Sequence, residues 1–113
     1  MYDRLLYIAG PYRSDTPEGV QANIDTADRA AKWLRSLGWG VICPHKNSEG
    51  DDNDEACLAA DLTIIDRLAP EKDALYMLDG WVDSFGAVEE YYHAVDRGLA
   101  IYRQGTKEPP EVQ

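Results

Sequence analysis

Four short apolar runs punctuate this chain, and between them apolar residues recur every three or four positions. Residues 4–9, Arg4-Leu5-Leu6-Tyr7-Ile8-Ala9, read as a buried strand ended by Gly10-Pro11. Thr16 before Pro17 is a helix cap followed by proline at the first helical position. Val20, Ile24, Ala27, Ala31 and Leu34 then carry one helix face to a stop at Gly38. Residues 39–43 predict a second strand, closed by Pro44, and residues 45–53 a long polar loop. A second helix is expected over 54–68, with Ala56, Ala59, Ala60, Ile64 and Ile65 as its apolar stripe and Pro70 beyond its end. Residues 73–77 predict a third strand and 78–83 a loop. Asp83 or Ser84 caps a third helix that reaches Arg97, and residues 99–103 predict a fourth strand.

Strands alternating with helices imply an α/β fold: a small four-stranded parallel sheet, order 2-1-3-4, with helices on both faces, flavodoxin-like or Rossmann-like. Such sheets bind ligands beyond the carboxyl ends of their strands, here the loops opening at Gly10, Pro44 and Leu78. Residues 1–104 are expected to form a single domain and residues 105–113, with two prolines and several charges, a flexible tail.

The formal net charge of −10 argues against a nucleic-acid polymer as partner, because an acidic surface repels phosphate backbones. It leaves room for a small molecule. Much of the acid lies in one run, residues 49–55, read as a solvated loop. Two cysteines, Cys43 and Cys57, without a CxxC pair, fit a reducing cytosol, and Cys43 reads as a buried strand residue. No apolar run approaches a membrane span, and Leu5–Ala9 is too short for the apolar region of a signal peptide. A chain of 113 residues closes a deep cleft poorly, so a homo-oligomer, dimer or higher, is expected to complete the site.

The candidate chemistry gathers at the expected strand ends. On a helical wheel of about 100° per residue, Ala87, Val88, Tyr91, Ala94 and Val95 form the apolar face of the third helix. Glu90 falls at the edge of that stripe beside the small residues Gly86 and Ala94, and its side chain leans back toward the strand ends. The helix dipole there favours an ionised carboxylate, which suits a nucleophile better than a general acid; the bland alternative is a half-buried helix-edge acid. In Gly10-Pro11-Tyr12-Arg13, the glycine would allow a sharp turn and a close ligand, and Arg13 could fork a phosphate; the alternative is an ordinary turn. Neither a GxGxxG fingerprint nor a P-loop lysine is present. Asp61, inside Leu58-Ala59-Ala60-Asp61-Leu62, needs a partner or a function. His45 follows the second strand, and neither histidine has a second ligand at metal spacing, so no metal site is expected.

Tyr7-Ile8-Ala9-Gly10-Pro11-Tyr12-Arg13, Pro44-His45-Lys46-Asn47, Ala60-Asp61-Leu62, Leu78-Asp79-Gly80-Trp81, Ser84-Phe85-Gly86-Ala87-Val88-Glu89-Glu90 and Ala94 occur in that order across nearly the whole chain. Together they resemble the nucleoside 2-deoxyribosyltransferase superfamily, most closely its small bacterial and phage branch, and are also similar to the 2′-deoxynucleoside 5′-phosphate N-hydrolases. The resemblance implies Glu90 as the nucleophile, selected over Glu89 by the Gly-x-x-x-Glu pattern and the alanine four residues on. It implies Tyr7 as the group orienting that carboxylate, and Asp61 as the contact that helps protonate the leaving base. It places Ser84, where transferases often carry an aspartate, with Arg13 on a phosphate, and Trp81 or Tyr12 in a stack on the base. Pro11 departs from the serine of the phosphate-binding branch. No cofactor is implied. A non-catalytic nucleotide-binding or sensing module on the same scaffold is the alternative; a receiver-like domain lacks the acidic cluster after the first strand.

Overall fold

The computed structural model describes residues 3–47 and 53–112. Strand β1 (Leu5–Ala9) leads to helix α1 (Pro17–Ser36), then β2 (Gly40–Ile42) and a single helical turn, α2 (Pro44–Asn47). Helix α3 (Asp54–Asp66), strand β3 (Ala74–Met77), a 3₁₀ turn (Trp81–Asp83), helix α4 (Phe85–Asp96) and strand β4 (Ala100–Arg103) complete it. The four strands are all parallel in the order β2-β1-β3-β4, as the alternation of elements predicts. The register pairs Tyr7 with Ile42 on one side and with Leu75 on the other.

Strand geometry splits the core in two, because successive side chains point to opposite faces. Leu6, Ile8, Ala74 and Tyr76 pack with Ala27, Ala31 and Leu34 of α1. Tyr7, Ala9, Leu75 and Met77 pack with Ile65 of α3 and Ala94 of α4. The central strands β1 and β3 are buried on both faces and read as nearly unbroken apolar runs, whereas β2 and β4 are half-buried edges. Thr16 caps α1, its Oγ1 accepting from the Gly19 N–H at 3.0 Å. After the helix Gly38 takes φ +99°, the left-handed conformation expected of a helix-ending glycine.

Three expectations change. The polar loop after β2 begins instead with the helical turn α2; most of the acidic run falls in residues 48–52, outside the described residues. Helix α3 ends at Asp66, and of its expected stripe Ala56, Ala59 and Ala60 face solvent while Ile65 is buried. Its alanines share one side, but Cys57, Leu58, Leu62, Ile64 and Ile65 fall on the others, so periodicity defines no face, and packing on the sheet and α4 chooses one. The segment after β4, expected to be a flexible tail, lies back over the domain. Tyr76 Oη donates to Glu108 at 2.5 Å, Trp39 Nε1 donates to the Pro110 carbonyl at 2.9 Å, and the Val112 N–H donates to Leu37 O at 2.7 Å. The cause is topological: α1 alone covers its face of the sheet, leaving the rings of Trp39, Tyr76 and Tyr102 for the tail to shield. Among the described residues no helix is long and apolar enough to cross a membrane.

Candidate active site

Three strand ends supply the floor of one cleft of about 770 Å³. The turn after β1 brings Gly10 to Arg13, α2 brings Pro44 and His45, and the segment after β3 brings Gly80, Asp83 and Ser84. Helices α3 and α4 form the wall, contributing Asp54, Cys57, Asp61, Phe85, Gly86 and Glu90. Helix α4 is aimed by Ser84, which adopts extended backbone and accepts from the Ala87 N–H at 3.3 Å. That cap starts the helix one residue past the loop, so the face carrying Ala87, Glu90 and Ala94 turns toward the sheet.

Glu90 is 6% exposed and sits in the middle of the buried face, not at its edge; Val95, expected on that face, is 45% exposed. Tyr7, wholly buried in β1, donates its hydroxyl hydrogen to Glu90 Oε2. Asp61, half-buried on α3, lines the same cleft as Glu90, and its charge pushes up the pKa of both Tyr7 and Glu90. The structure thus brings together Glu90 from α4, Tyr7 from β1 and Asp61 from α3, the three residues to which the resemblance assigns nucleophile, orienting group and acid.

Their ionisation differs from the expectation of a dipole-stabilised carboxylate. Burial pushes the Glu90 carboxyl up to about 8; the Tyr7 hydrogen bond opposes this and the neighbouring Asp61 charge adds to it. Burial raises Asp61 to about 6 against the pull of the same phenol. Tyr7 itself is held far above the ordinary phenol range, by burial first and by the two acids after it. The helix dipole loses because Glu90 lies in the second turn, where that field has fallen off, while desolvation acts in full.

The other candidates divide. Gly10, Pro11, Tyr12, Arg13, His45, Ser84 and Gly86 all line the cleft. Gly10 is needed there for packing rather than for a left-handed turn: a Cβ on it would lie 2.7 Å from Leu78 Cβ. A Cβ on Gly86 would meet nothing within 4 Å, so this glycine leaves open space between the two wall helices. His45 Nε2 lies 2.8 Å from the Pro11 carbonyl, which it reaches as a donor, and its ring meets Tyr12 edge-on at 5.8 Å. Burial lowers its pKa despite that carbonyl, so it is a neutral strut for the Gly10–Tyr12 turn. Arg13, expected to await a phosphate, is ion-paired with Asp54 through Nε and Nη2 and lies over the Tyr12 ring. Trp81 does not line the cleft; it packs against Tyr91, ring centroids 4.8 Å apart, beneath the Arg103 guanidinium.

Residues 4–103 match a family model described as a domain of unknown function, DUF4406. The chain belongs to the DUF4406 family. No curated protein and no solved structure matched the chain. In this DUF4406 domain the match runs from the start of β1 to the end of β4 and so takes in every site element described above.

Sequence reasoning missed Asp54, Glu55, Cys57, Leu58, Asp83 and Phe85, all of which line the cleft. Asp54, Cys57, Leu58 and Asp61 follow i, i+3, i+4, i+7 spacing, the one signal that could have placed the start of α3 on the site. Phe85 stands directly after the cap and is 74% exposed, an aromatic that folding leaves uncovered. Among the described residues no three His, Cys, Asp or Glu side chains converge as a metal site.

Proposed function

We propose that this domain cleaves the N-glycosidic bond of a small 2′-deoxynucleoside, or of its 5′-monophosphate, through a covalent glycosyl–Glu90 intermediate. The observation that carries the reading is a buried Glu90 carboxyl held by Tyr7 beside Asp61, where strand ends open into a cleft. The resemblance to nucleoside 2-deoxyribosyltransferases supports the substrate class.

In this mechanism the Glu90 carboxylate attacks the anomeric carbon as the C–N bond breaks, and the electron pair leaves with the base. Asp61 gives that base its proton. Asp61, now ionised, takes a proton from water or from an acceptor base, which attacks the anomeric carbon and frees Glu90. Gly86 gives the sugar room, Tyr12 and Phe85 offer rings to the base, and Arg13 and Ser84 stand where a 5′-phosphate would reach. A reducing intracellular setting fits two free cysteines.

Self-association belongs to the same proposal. Among the described residues, Val82, Phe85, Tyr92 and Val95, four of the six exposed large hydrophobics, lie on the 3₁₀ turn and α4, a surface suited to a second copy.

Base release is to be followed by chromatography over a panel of deoxynucleosides and their 5′-monophosphates, with and without an acceptor base. Release is expected, and Glu90→Gln should remove it by a factor of about 10³ or more. Wild-type turnover in that variant would overturn the assignment. Binding without any base release would make the domain a nucleotide sensor instead.

A further inference from the structure

The strand ends on the floor of the cleft are tied to one another in sequence across the sheet. His45, just past β2, donates to the Pro11 carbonyl past β1 at 2.8 Å. Gly80, past β3, takes φ +84° and lies so close to that turn that a Cβ on it would stand 3.3 Å from Pro11 Cγ. The third tie comes from the end of β4, where Gln104 Oε1 accepts the Asp79 N–H at 2.9 Å. Only the oxygen of a side-chain amide can accept, so this bond fixes which way the Gln104 amide is turned. The Gln104 backbone is itself clamped. Its N–H donates to the Met77 carbonyl at 2.9 Å, and Arg103 and Lys107 exchange backbone bonds of 2.8 and 2.9 Å around it. Gly105 closes that turn at φ +82°, and its N–H donates to Glu108 at 3.1 Å.

Residues 79–84 bring Gly80, Asp83 and Ser84 to the cleft. Among the described residues, every other hydrogen bond of this segment stays within residues 78–88. The Trp81 N–H returns to Leu78 O at 3.2 Å, the Asp83 N–H to Gly80 O at 3.2 Å and the Ser84 N–H to Trp81 O at 3.0 Å. Such bonds give the segment its shape but not its place. Arg103 adds a contact over the Trp81 ring at 5.7 Å, but a ring face lets a cation slide, whereas a hydrogen bond fixes a distance and a direction. We propose that Gln104 is a positioning residue for the cleft: its side-chain carbonyl, by holding the Asp79 N–H, sets where Gly80, Asp83 and Ser84 stand. Gln104 does not line the cleft and acts only through the backbone of the segment it holds. Glu90 is held separately, by Tyr7 and by the packing of α4 on α3, so it keeps its place when the tie is cut. The bond lies at the surface, where water replaces it at little cost to the fold. The effect on turnover rests on the glycosidic reading; the effect on position does not.

The test compares the wild-type protein with Gln104→Met, which keeps the length of the side chain but has no carbonyl, and Gln104→Glu, which restores an accepting oxygen. In backbone amide NMR spectra, Gln104→Met should shift the signals of Gly80, Asp83 and Ser84 and leave those of Tyr7 and Glu90 in place; Gln104→Glu should return them toward the wild type. In base release from the deoxynucleoside or monophosphate that the wild type turns over fastest, Gln104→Met should raise KM about fivefold to tenfold with kcat nearly unchanged. Gln104→Glu should recover most of that loss. A merely structural role predicts the opposite split, because partial unfolding lowers the apparent kcat and leaves KM alone. Unshifted Gly80, Asp83 and Ser84 signals in Gln104→Met overturn the proposal, as do equal losses in both variants or a fall in kcat alone. Gln104→Ser, too short to reach Asp79, takes the place of Gln104→Met if that variant fails to fold. No base release from the wild type overturns the glycosidic reading, and the amide signals then decide the positioning claim by themselves.

Discussion

Replacing Glu90 by glutamine should stabilise the folded protein, by an amount that depends on pH. The carboxyl is buried in the folded state, and its pKa rises from 4.5 to about 8. Between those values the folded protein holds a proton that the unfolded chain has released, so unfolding releases a proton and stability falls as pH rises. The slope is about 1.4 kcal/mol per pH unit, and the contribution levels off above the folded-state value. Below pH 4.5 both states are protonated and the group is silent. Over the window of roughly 3.5 units the accumulated penalty is about 4–5 kcal/mol. Glutamine keeps the shape and an oxygen for the Tyr7 hydroxyl but has no charge to desolvate. Urea unfolding of both proteins at pH 5, 6, 7 and 8 should show curves that nearly coincide at pH 5 and diverge steadily. By pH 8 the variant should be about 4 kcal/mol more stable, a melting-temperature gap on the order of 15 °C. Parallel pH dependences would refute the reasoning, because they would mean that Glu90 ionises in the folded state as readily as in water. The site would then be a case of function held against stability only in appearance.

Other outcomes follow from the same geometry. Gly86→Leu should fill the space between α3 and α4, abolishing base release and ligand binding in calorimetry while stability stays level or rises by up to about 1 kcal/mol, since glycine is a poor helix former. Asp54→Ala should remove the Arg13–Asp54 ion pair and raise the ratio of monophosphate to nucleoside turnover; the exposed pair contributes under about 1 kcal/mol, so the unfolding midpoint should barely move. Tyr92→Glu, at a position 61% exposed on α4, should leave the fold intact and shift the protein toward monomer in sedimentation velocity if a second copy covers that face; an unchanged distribution would place any interface elsewhere.

The sheet was legible in the sequence because its information is local. Apolar runs of four or five residues ended by Gly10-Pro11, Pro44 and Leu78-Asp79-Gly80 can only be strands leading into loops, and Thr16-Pro17 and Ser84 mark helix starts through hydrogen bonds made within three residues. Alternation of strands with helices then implies parallel pairing, and the order expected, 2-1-3-4, is the one found. Glu90, Tyr7 and Asp61 could be named because motif order survives without geometry. What tertiary structure alone decided concerns groups far apart in the chain. Tyr7 and Glu90 are 83 residues apart, and their hydrogen bond exists only because β1 and α4 pack together. Burial at that junction, rather than the dipole of the helix that carries it, sets how Glu90 ionises. Arg13 faces Asp54 across 41 residues, which turns an expected phosphate fork into an ion pair. Trp81 follows a strand end like a ligand contact but packs on Tyr91, and the tail closes over Trp39 and Tyr76 because one face of the sheet has a single helix. Periodicity reports which side of an element is apolar; which neighbours meet it, and how much water they exclude, is settled only when the elements pack.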